Sequence, residues 1–537
     1  MSQGWTSAGN KNREEHMKLS RRLVLGAAAA SPFAAGLGAF AQDETSVLAD
    51  TTSGQLRGLK SDGINIFRGV RYGEDTALSR FAKPIPATRR TDISDAINYG
   101  ASSPQRSNQP EISEDCLFLN VWTPGLNDGA KRPIMFYIHG GAYSNGSGSD
   151  ELYDGTRLAT KGDVVVITVN HRLNAFGYLY LDRLYPGAFP DSGNAGQWDL
   201  VLALNWVKQN AETFGGDPDR VMVFGQSGGG AKIATMMASP AAEGLFHSAA
   251  TMSGQQVTAC GPLNGTARAT RFLETIGASA ATPDDLRTIP MERLMEGLTA
   301  RDPINEAHGL YFGPVLDYRM LSRHPFFPDA PGQSAHIPMI LGNTADETKA
   351  FLWRDEAFAL TWETLPDWLE IQLRCDIHPG HVIEKYREWF PELDPTEVMF
   401  KATTAGRSWR GQVEESDARA RQGAPTWVYQ FDLPAAERER GAPHTIDIEH
   451  AFDNLAQRGS MSGTGPTAAR VADQLSTAFI NLARNGDPNH AGIPQWDQHT
   501  LPNRETMVFD ATTRLENDPR QRERELFATV PFIQWGS

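Results

Sequence analysis

Residues 221–238, VMVFGQSGGGAKIATMMA, constrain the chain more than any other stretch. Residues 221–224 are an apolar run of β-type side chains. Gly225-Gln226-Ser227-Gly228-Gly229 then sets a serine between glycines, and residues 231–238 have helical composition. Strand, sharp turn and helix with serine at the apex form a nucleophile elbow. Such a turn strains the backbone at Ser227, and the glycines two positions to either side let strand and helix pass closely. The hydroxyl is held out at the carboxyl end of a sheet, and the N–H of Gly228 is left to meet an oxyanion. The pentapeptide by itself is a weak signal in a chain with 50 glycines. A glycine-rich turn before a helix also suits a phosphate. Against that reading, no lysine follows in the Walker pattern, and no G-x-G-x-x-G precedes an acidic ribose contact.

The surrounding pattern supports the elbow. Residues 65–72 (NIFRGVRY) and 116–122 (CLFLNVW) read as strands. Residues 133–138 (PIMFYI) and 163–169 (DVVVITV) are nearly continuous apolar runs, as expected for strands covered on both faces. Residues 194–210 carry Leu200, Ala203, Leu204 and Val207 at helical spacing. Residues 336–342 (HIPMILG) and 427–433 (WVYQFDL) are later strands. This alternation predicts an α/β fold: a large, mostly parallel central sheet with helices on both faces, binding ligands beyond the carboxyl ends of its strands. Residues 255–335 and 351–425 interrupt the alternation. They are polar, helical in pattern, and predicted to roof the site. Trp353, Trp362, Trp368, Trp389 and Trp409 lie in the second of them, where each taken singly is best read as ordinary helical packing.

A serine hydroxyl needs a base within hydrogen-bond reach, and the base needs an orienting acid. In an elbow fold the acid and base follow the serine on loops after later strands. HIPMILG leads into Asn343-Thr344-Ala345-Asp346-Glu347, and WVYQFDL leads to Gly441-Ala442-Pro443-His444. His444 is the candidate base among 13 histidines because it follows a late strand, downstream of the acids. His450 is its nearest rival but sits where a helical pattern begins. Asp346 and Glu347 compete for the acid role, and residue type and spacing do not separate them. The loop His139-Gly140-Gly141-Ala142-Tyr143 follows a buried strand and suits an oxyanion hole. The N–H groups of Gly141 and Ala142 join that of Gly228 as donors, and His139 reads as a structural loop residue rather than a base.

Further stretches extend the pattern: Glu114-Asp115-Cys116-Leu117-Phe118-Leu119-Asn120, Asn170-His171-Arg172-Leu173-Asn174-Ala175-Phe176-Gly177, Gly193-Asn194-Ala195-Gly196, Phe214-Gly215-Gly216-Asp217-Pro218 and Ala483-Arg484-Asn485-Gly486-Asp487-Pro488-Asn489. From about Gly54 to the C-terminus the chain resembles the type-B carboxylesterases, the family of bacterial para-nitrobenzyl esterases and animal cholinesterases. The resemblance implies the α/β-hydrolase fold and a triad of Ser227, Glu347 and His444. It thereby favours Glu347 as the acid, and it also implies an ion pair between Arg80 and Glu114. The implied chemistry is hydrolysis of small-molecule carboxylic esters through an acyl-enzyme. Amide, carbamate or thioester hydrolysis on the same groups, or a non-catalytic cholinesterase-like binding role, are the alternatives. The chain departs from the family at Gln226 (usually Glu), Gly228 (usually Ala) and Ala142 (usually Gly). Loss of the carboxylate beside the serine weakens attraction for cationic alcohols. Cys116, often bridged in the family, has no upstream cysteine here.

Composition excludes several partners. Acidic residues outnumber Lys and Arg by 65 to 50, a net charge of −15. That balance argues against nucleic acid and gives no attraction to anionic membrane surfaces. Three cysteines cannot build a disulfide framework, and no Cys/His ligand spacing indicates a metal or other cofactor. Residues 1–41 read as an export signal and 42–537 as the enzyme domain. Lys18, Arg21 and Arg22 precede a small apolar stretch that ends at Ala39-Phe40-Ala41, and SRRLVL resembles the twin-arginine signal. Met17 is a candidate start, with 1–16 an extension. The expected destination is the bacterial periplasm or beyond, without stable membrane association after cleavage.

Overall fold

The computed structural model describes residues 45–306, 308–534 and 536–537. The export-signal segment lies outside the described residues. A single sheet runs through the enzyme domain, built from β1 (Thr45–Thr51), β2 (Gly54–Ser61), β3 (Ile64–Arg71), β4 (Ser94–Asp95), β5 (Phe118–Thr123), β6 (Arg132–Ile138), β7 (Val165–Val169), β8 (Gly216–Gln226), β9 (Ser248–Met252), β10 (Met339–Thr344), β11 (Thr426–Phe431), β12 (Glu505–Phe509) and β13 (Arg514–Asn517). Its order is β1-β2-β3-β5-β7-β6-β8-β9-β10-β11-β12-β13, with β4 beside β2. The block from β7 to β12 is parallel throughout. The expected strands in the first quarter of the domain, β3 and β5, instead pair antiparallel in an N-terminal ribbon with β1 and β2.

Alternation along the central strands divides the core in two. Ile134, Phe136 and Ile138 of β6 and Val221 and Val223 of β8 point to one side of the sheet. They meet Leu200, Leu204 and Val207 of α1 (Ala195–Asn210) and Ile233, Met236 and Met237 of α2 (Gly228–Met237). Met135, Tyr137, Met222 and Phe224 point to the other side. There they meet Val471, Leu475 and Phe479 of a later helix, Pro466–Asn485. Both faces are thus covered, which explains why these strands read as unbroken apolar runs.

The chain leaves β6 for β7 on one side and returns to β8 on the other. The carboxyl ends of β6 and β8 therefore flank a reversal in strand order, where sheets of this kind bind ligands. The two interrupting stretches contribute most of two smaller apolar clusters outside the main core, shared with Phe176 and Phe189 in the first and with Leu526 and Phe527 in the second. Trp353, Trp362, Trp368, Trp389 and Trp409 all pack within the second of these, as expected for ordinary helical packing.

Candidate active site

The elbow forms as the sequence predicts. Ser227 follows β8 directly, with φ 55° and ψ −123°, and α2 begins at the next residue. Its N–H donates to the carbonyl of Met252 (2.7 Å), which pins the turn to β9. The flanking glycines are required by contact. A Cβ on Gly225 would lie 2.7 Å from the Ile138 carbonyl oxygen, and one on Gly229 would lie 1.9 Å from the same atom.

The loop after β6 lies against this turn. Gly141 (φ +86°) and Ala142 (φ +53°) both adopt the left-handed region. The N–H groups of Gly141, Ala142 and Gly228 donate to no other described residue. For Gly228 this follows from its place in the first turn of a helix, whose N–H groups have no partner within it. The carbonyl of Ala142 turns towards α2, only 2.0 Å from where a Cβ on Gly228 would sit. Glycine after the nucleophile thus makes room for this loop conformation. Lys232, one turn further along α2, donates to the same carbonyl at 2.7 Å. The lysine is fully buried, stands over the ring of Tyr143, and is pulled by burial down to about 7.

Glu347 and His444 meet in the loops after β10 and β11. Oε1 of Glu347 accepts from the N–H of Thr344 (2.9 Å) and from Asn343 (3.0 Å), while Oε2 pairs with Nδ1 of His444. Burial pushes this carboxyl up, but the facing imidazole and the hydrogen bonds more than offset it and hold it below the usual range. Asp346, the rival acid, does something else. Its Oδ2 accepts from the N–H of Ala442 (2.9 Å), tying the acid-bearing loop to the histidine-bearing one. His450 also lies apart from the pair. It is buried on the helix Ile446–Ala451, with Nδ1 at 3.0 Å from the Ile446 carbonyl, and burial takes it down to about 4. His139 is buried against the Gly140 carbonyl and taken down to about 3 by burial, in keeping with a structural role.

Ser227, His444, Gly141 and Ala142 line one cavity of about 640 Å³. Among the described residues no hydrogen bond joins the Ser227 hydroxyl to His444. The imidazole Nε2 is met instead by the side-chain amide of Gln226, at 3.0 Å. With Nδ1–H directed to Glu347, Nε2 is an acceptor, and the amide occupies the position a serine hydroxyl must take. Neither this contact nor the Lys232 contact was visible in residue spacing, although a lone lysine in the apolar run AKIATMMA was a signal that something held it.

The two interrupting stretches contribute unequally to the cavity wall. The second supplies Phe351, Arg374, Gly406, Arg407 and Ser408, but of the first only Gln255 reaches the cavity. Much of the first stretch packs instead with Phe81, Phe176 and Phe189 in a cluster beside the sheet, and Val257, Met320 and Phe326 join the main core. Phe532, Ile533 and Gln534, close to the C-terminus, complete the wall. The ion pair of Arg80 with Glu114 is present, with Nε 2.8 Å from Oε2. Cys116, Cys260 and Cys375 are free thiols. No group of His, Cys, Asp and Glu among the described residues could hold a metal ion.

Residues 44–527 match the model of the carboxylesterase family. The chain is 33% identical over 498 residues to a para-nitrobenzyl esterase of Bacillus subtilis (strain 168), covering 90% of this chain and 98% of that protein. It is 32% identical over 479 residues to a phenmedipham hydrolase of Pseudarthrobacter oxydans, covering 84% and 92%. Among solved structures, the Geobacillus stearothermophilus carboxylesterase EST55 at pH 6.2 superposes with a TM-score of 0.80 and 34% identity, covering 89% of this chain and 99% of that one.

Proposed function

The chain belongs to the carboxylesterase family and is a carboxylic-ester hydrolase of the α/β-hydrolase fold, and from that premise we propose that it cleaves small-molecule esters through a Ser227–His444–Glu347 triad. The observation that carries this reading is the imidazole of His444, backed by the buried carboxylate of Glu347 and facing the cavity into which the strained turn lifts Ser227.

In the proposed reaction the Ser227 hydroxyl displaces the Gln226 amide from Nε2 and passes its proton there as its oxygen attacks the ester carbonyl. Glu347 holds the ring in the required tautomer and stabilises its charged form. The N–H groups of Gly141, Ala142 and Gly228 receive the oxyanion of the tetrahedral intermediate. His444 then protonates the departing alkoxide, and water cleaves the acyl-enzyme by the same route in reverse order. The free orientation of those three donors supports the oxyanion role. The N-terminal segment is proposed to direct export, which would place the reaction outside the cytoplasm.

The test is Ser227→Ala with a chromogenic ester. The expected loss in kcat is roughly 10⁴–10⁶-fold. A variant that keeps more than about a hundredth of the wild-type rate would overturn the scheme.

A further inference from the structure

Two arginines enter the wall of the catalytic cavity from positions where the backbone is irregular. Arg407 lies in a π-helical turn, Thr404–Trp409, set between two α-helices. Such turns insert an extra residue into a helix and re-aim its side chains. Arg374 has φ +56°, a left-handed conformation that a non-glycine residue adopts only when its surroundings require it. Both side chains are half-buried and line the same cavity as Ser227 and His444. The guanidinium of Arg407 lies over the ring of Phe351, 5.1 Å from its centroid, and that ring in turn packs on His444 at 4.8 Å.

No carboxylate stands among the described residues that line this wall. Glu347, the buried acid beside His444, pairs with that imidazole, and its charge also acts on Arg407. Burial and the charge of Arg407 bring Arg374 down to about 9, and burial, partly offset by the charge of Glu347, brings Arg407 to about 10. Both stay protonated at neutral pH. The protein as a whole is acidic, with a net charge of −15, so a cationic cavity wall runs against the overall balance. Two guanidinium groups on one wall of the cavity that Ser227 and His444 also line give a bound substrate a cationic surface beside the reacting groups. Guanidinium groups bind carboxylates through paired, directional hydrogen bonds.

We propose that the cavity selects esters that carry a carboxylate away from the scissile bond, with Arg374 and Arg407 as the residues that bind it. This inference rests on the ester-hydrolase reading of Ser227 and specifies its substrate class. The anion can belong to the acyl part, as in a monoester of a dicarboxylic acid, or to the alcohol part. In either case it sits against the arginine wall while the carbonyl meets Ser227.

Two matched pairs of substrates separate these cases. The acyl pair is the mono-para-nitrophenyl ester of adipic acid against the para-nitrophenyl ester whose chain ends in isopropyl in place of the carboxylate. The alcohol pair is para-carboxyphenyl acetate against para-isopropylphenyl acetate. The full chain is assayed as wild type and as Arg407→Gln, Arg374→Gln, Arg407→Lys and Ser227→Ala. A ratio of kcat/KM within one preparation cancels any unfolded fraction. In the wild type the anionic member of one pair is expected to exceed its neutral partner by about tenfold or more, and that pair identifies the side. Each arginine-to-glutamine change is expected to lower the ratio by about 10–100-fold, the scale of a lost charge-assisted hydrogen bond. Arg407→Lys should keep more of the preference than Arg407→Gln. A wild-type preference for the neutral ester in both pairs, or a ratio indifferent to both glutamine variants, overturns the inference. If those results come with turnover that Ser227→Ala abolishes, the esterase reading survives. Turnover that persists in Ser227→Ala sinks that reading instead.

Discussion

At the scale of single residues, the site depends on distances that one methyl group can upset. Adding Cβ at Gly228 would drive it to 2.0 Å from the carbonyl oxygen of Ala142, which Lys232 holds in place. Gly228→Ala should therefore push the oxyanion loop away and misdirect the N–H of Ala142. The expected outcome is a fall in kcat of about 10²-fold, the scale of one lost oxyanion donor, with KM little changed. A kcat within threefold of wild type would show that the loop yields freely. The two adjacent acids make a second comparison. Glu347→Gln keeps the shape but leaves the imidazolium without its counter-charge, and kcat should fall by roughly 10³–10⁴-fold. Asp346→Asn weakens a contact to the Ala442 N–H and an ion pair with Lys349, neither of them to the imidazole, and should stay within about tenfold of wild type. Equal losses in the two variants would refute the division of roles. Sequence order and motif resemblance already pointed to Ser227, His444 and Glu347. They could not show that Gln226 meets the imidazole, because that contact joins residues 218 positions apart.

At the scale of elements, α2 serves both as cover for the sheet and as anchor for the oxyanion loop, and its buried lysine is the link. The groups facing Lys232 are the ring of Tyr143 and the imidazoles of His139 and His171, both held well below the ordinary histidine range by burial and by the lysine. The folded chain thus releases the lysine proton at about 7, whereas an unfolded chain keeps it to 10.5. Between those values the unfolded state binds more protons, so stability should rise with pH, by up to about 1.4 kcal/mol per unit from this group. Urea denaturation at pH 7, 8 and 9 should show that rise in the wild type and a smaller one in Lys232→Met. Curves that stay parallel would mean that burial does not pull the lysine's proton off early. Elements also mark where pattern reading stopped. The strand β9, SAATM, has no valine to match those of its neighbour β8, with which it pairs in parallel up to Gln226. The π-turn that brings in Arg407 leaves no mark in periodicity, because a one-residue insertion in a helix depends on what packs around it.

At the scale of the whole molecule, the leader and the enzyme domain are separable expectations. Changing Arg21 and Arg22 to Lys should leave the precursor in the cytoplasm, read by fractionation of cells expressing the full chain. Unimpaired export would refute the signal reading. Among the described residues no helix is long and apolar enough to cross a membrane. Within the enzyme domain, local sequence determined the parallel strands, the elbow and the loops that carry the proposed acid, base and oxyanion donors. The reason is that buried apolar runs, forced glycines and chain order are all properties of short segments. Only the tertiary structure decided that Gln226 meets the imidazole, what pins the loop after β6, and that two arginines and the C-terminal residues Phe532, Ile533 and Gln534 line the cavity. Those outcomes depend on contacts between segments far apart in the chain, whose meeting is governed by packing of the complete sheet and its insertions.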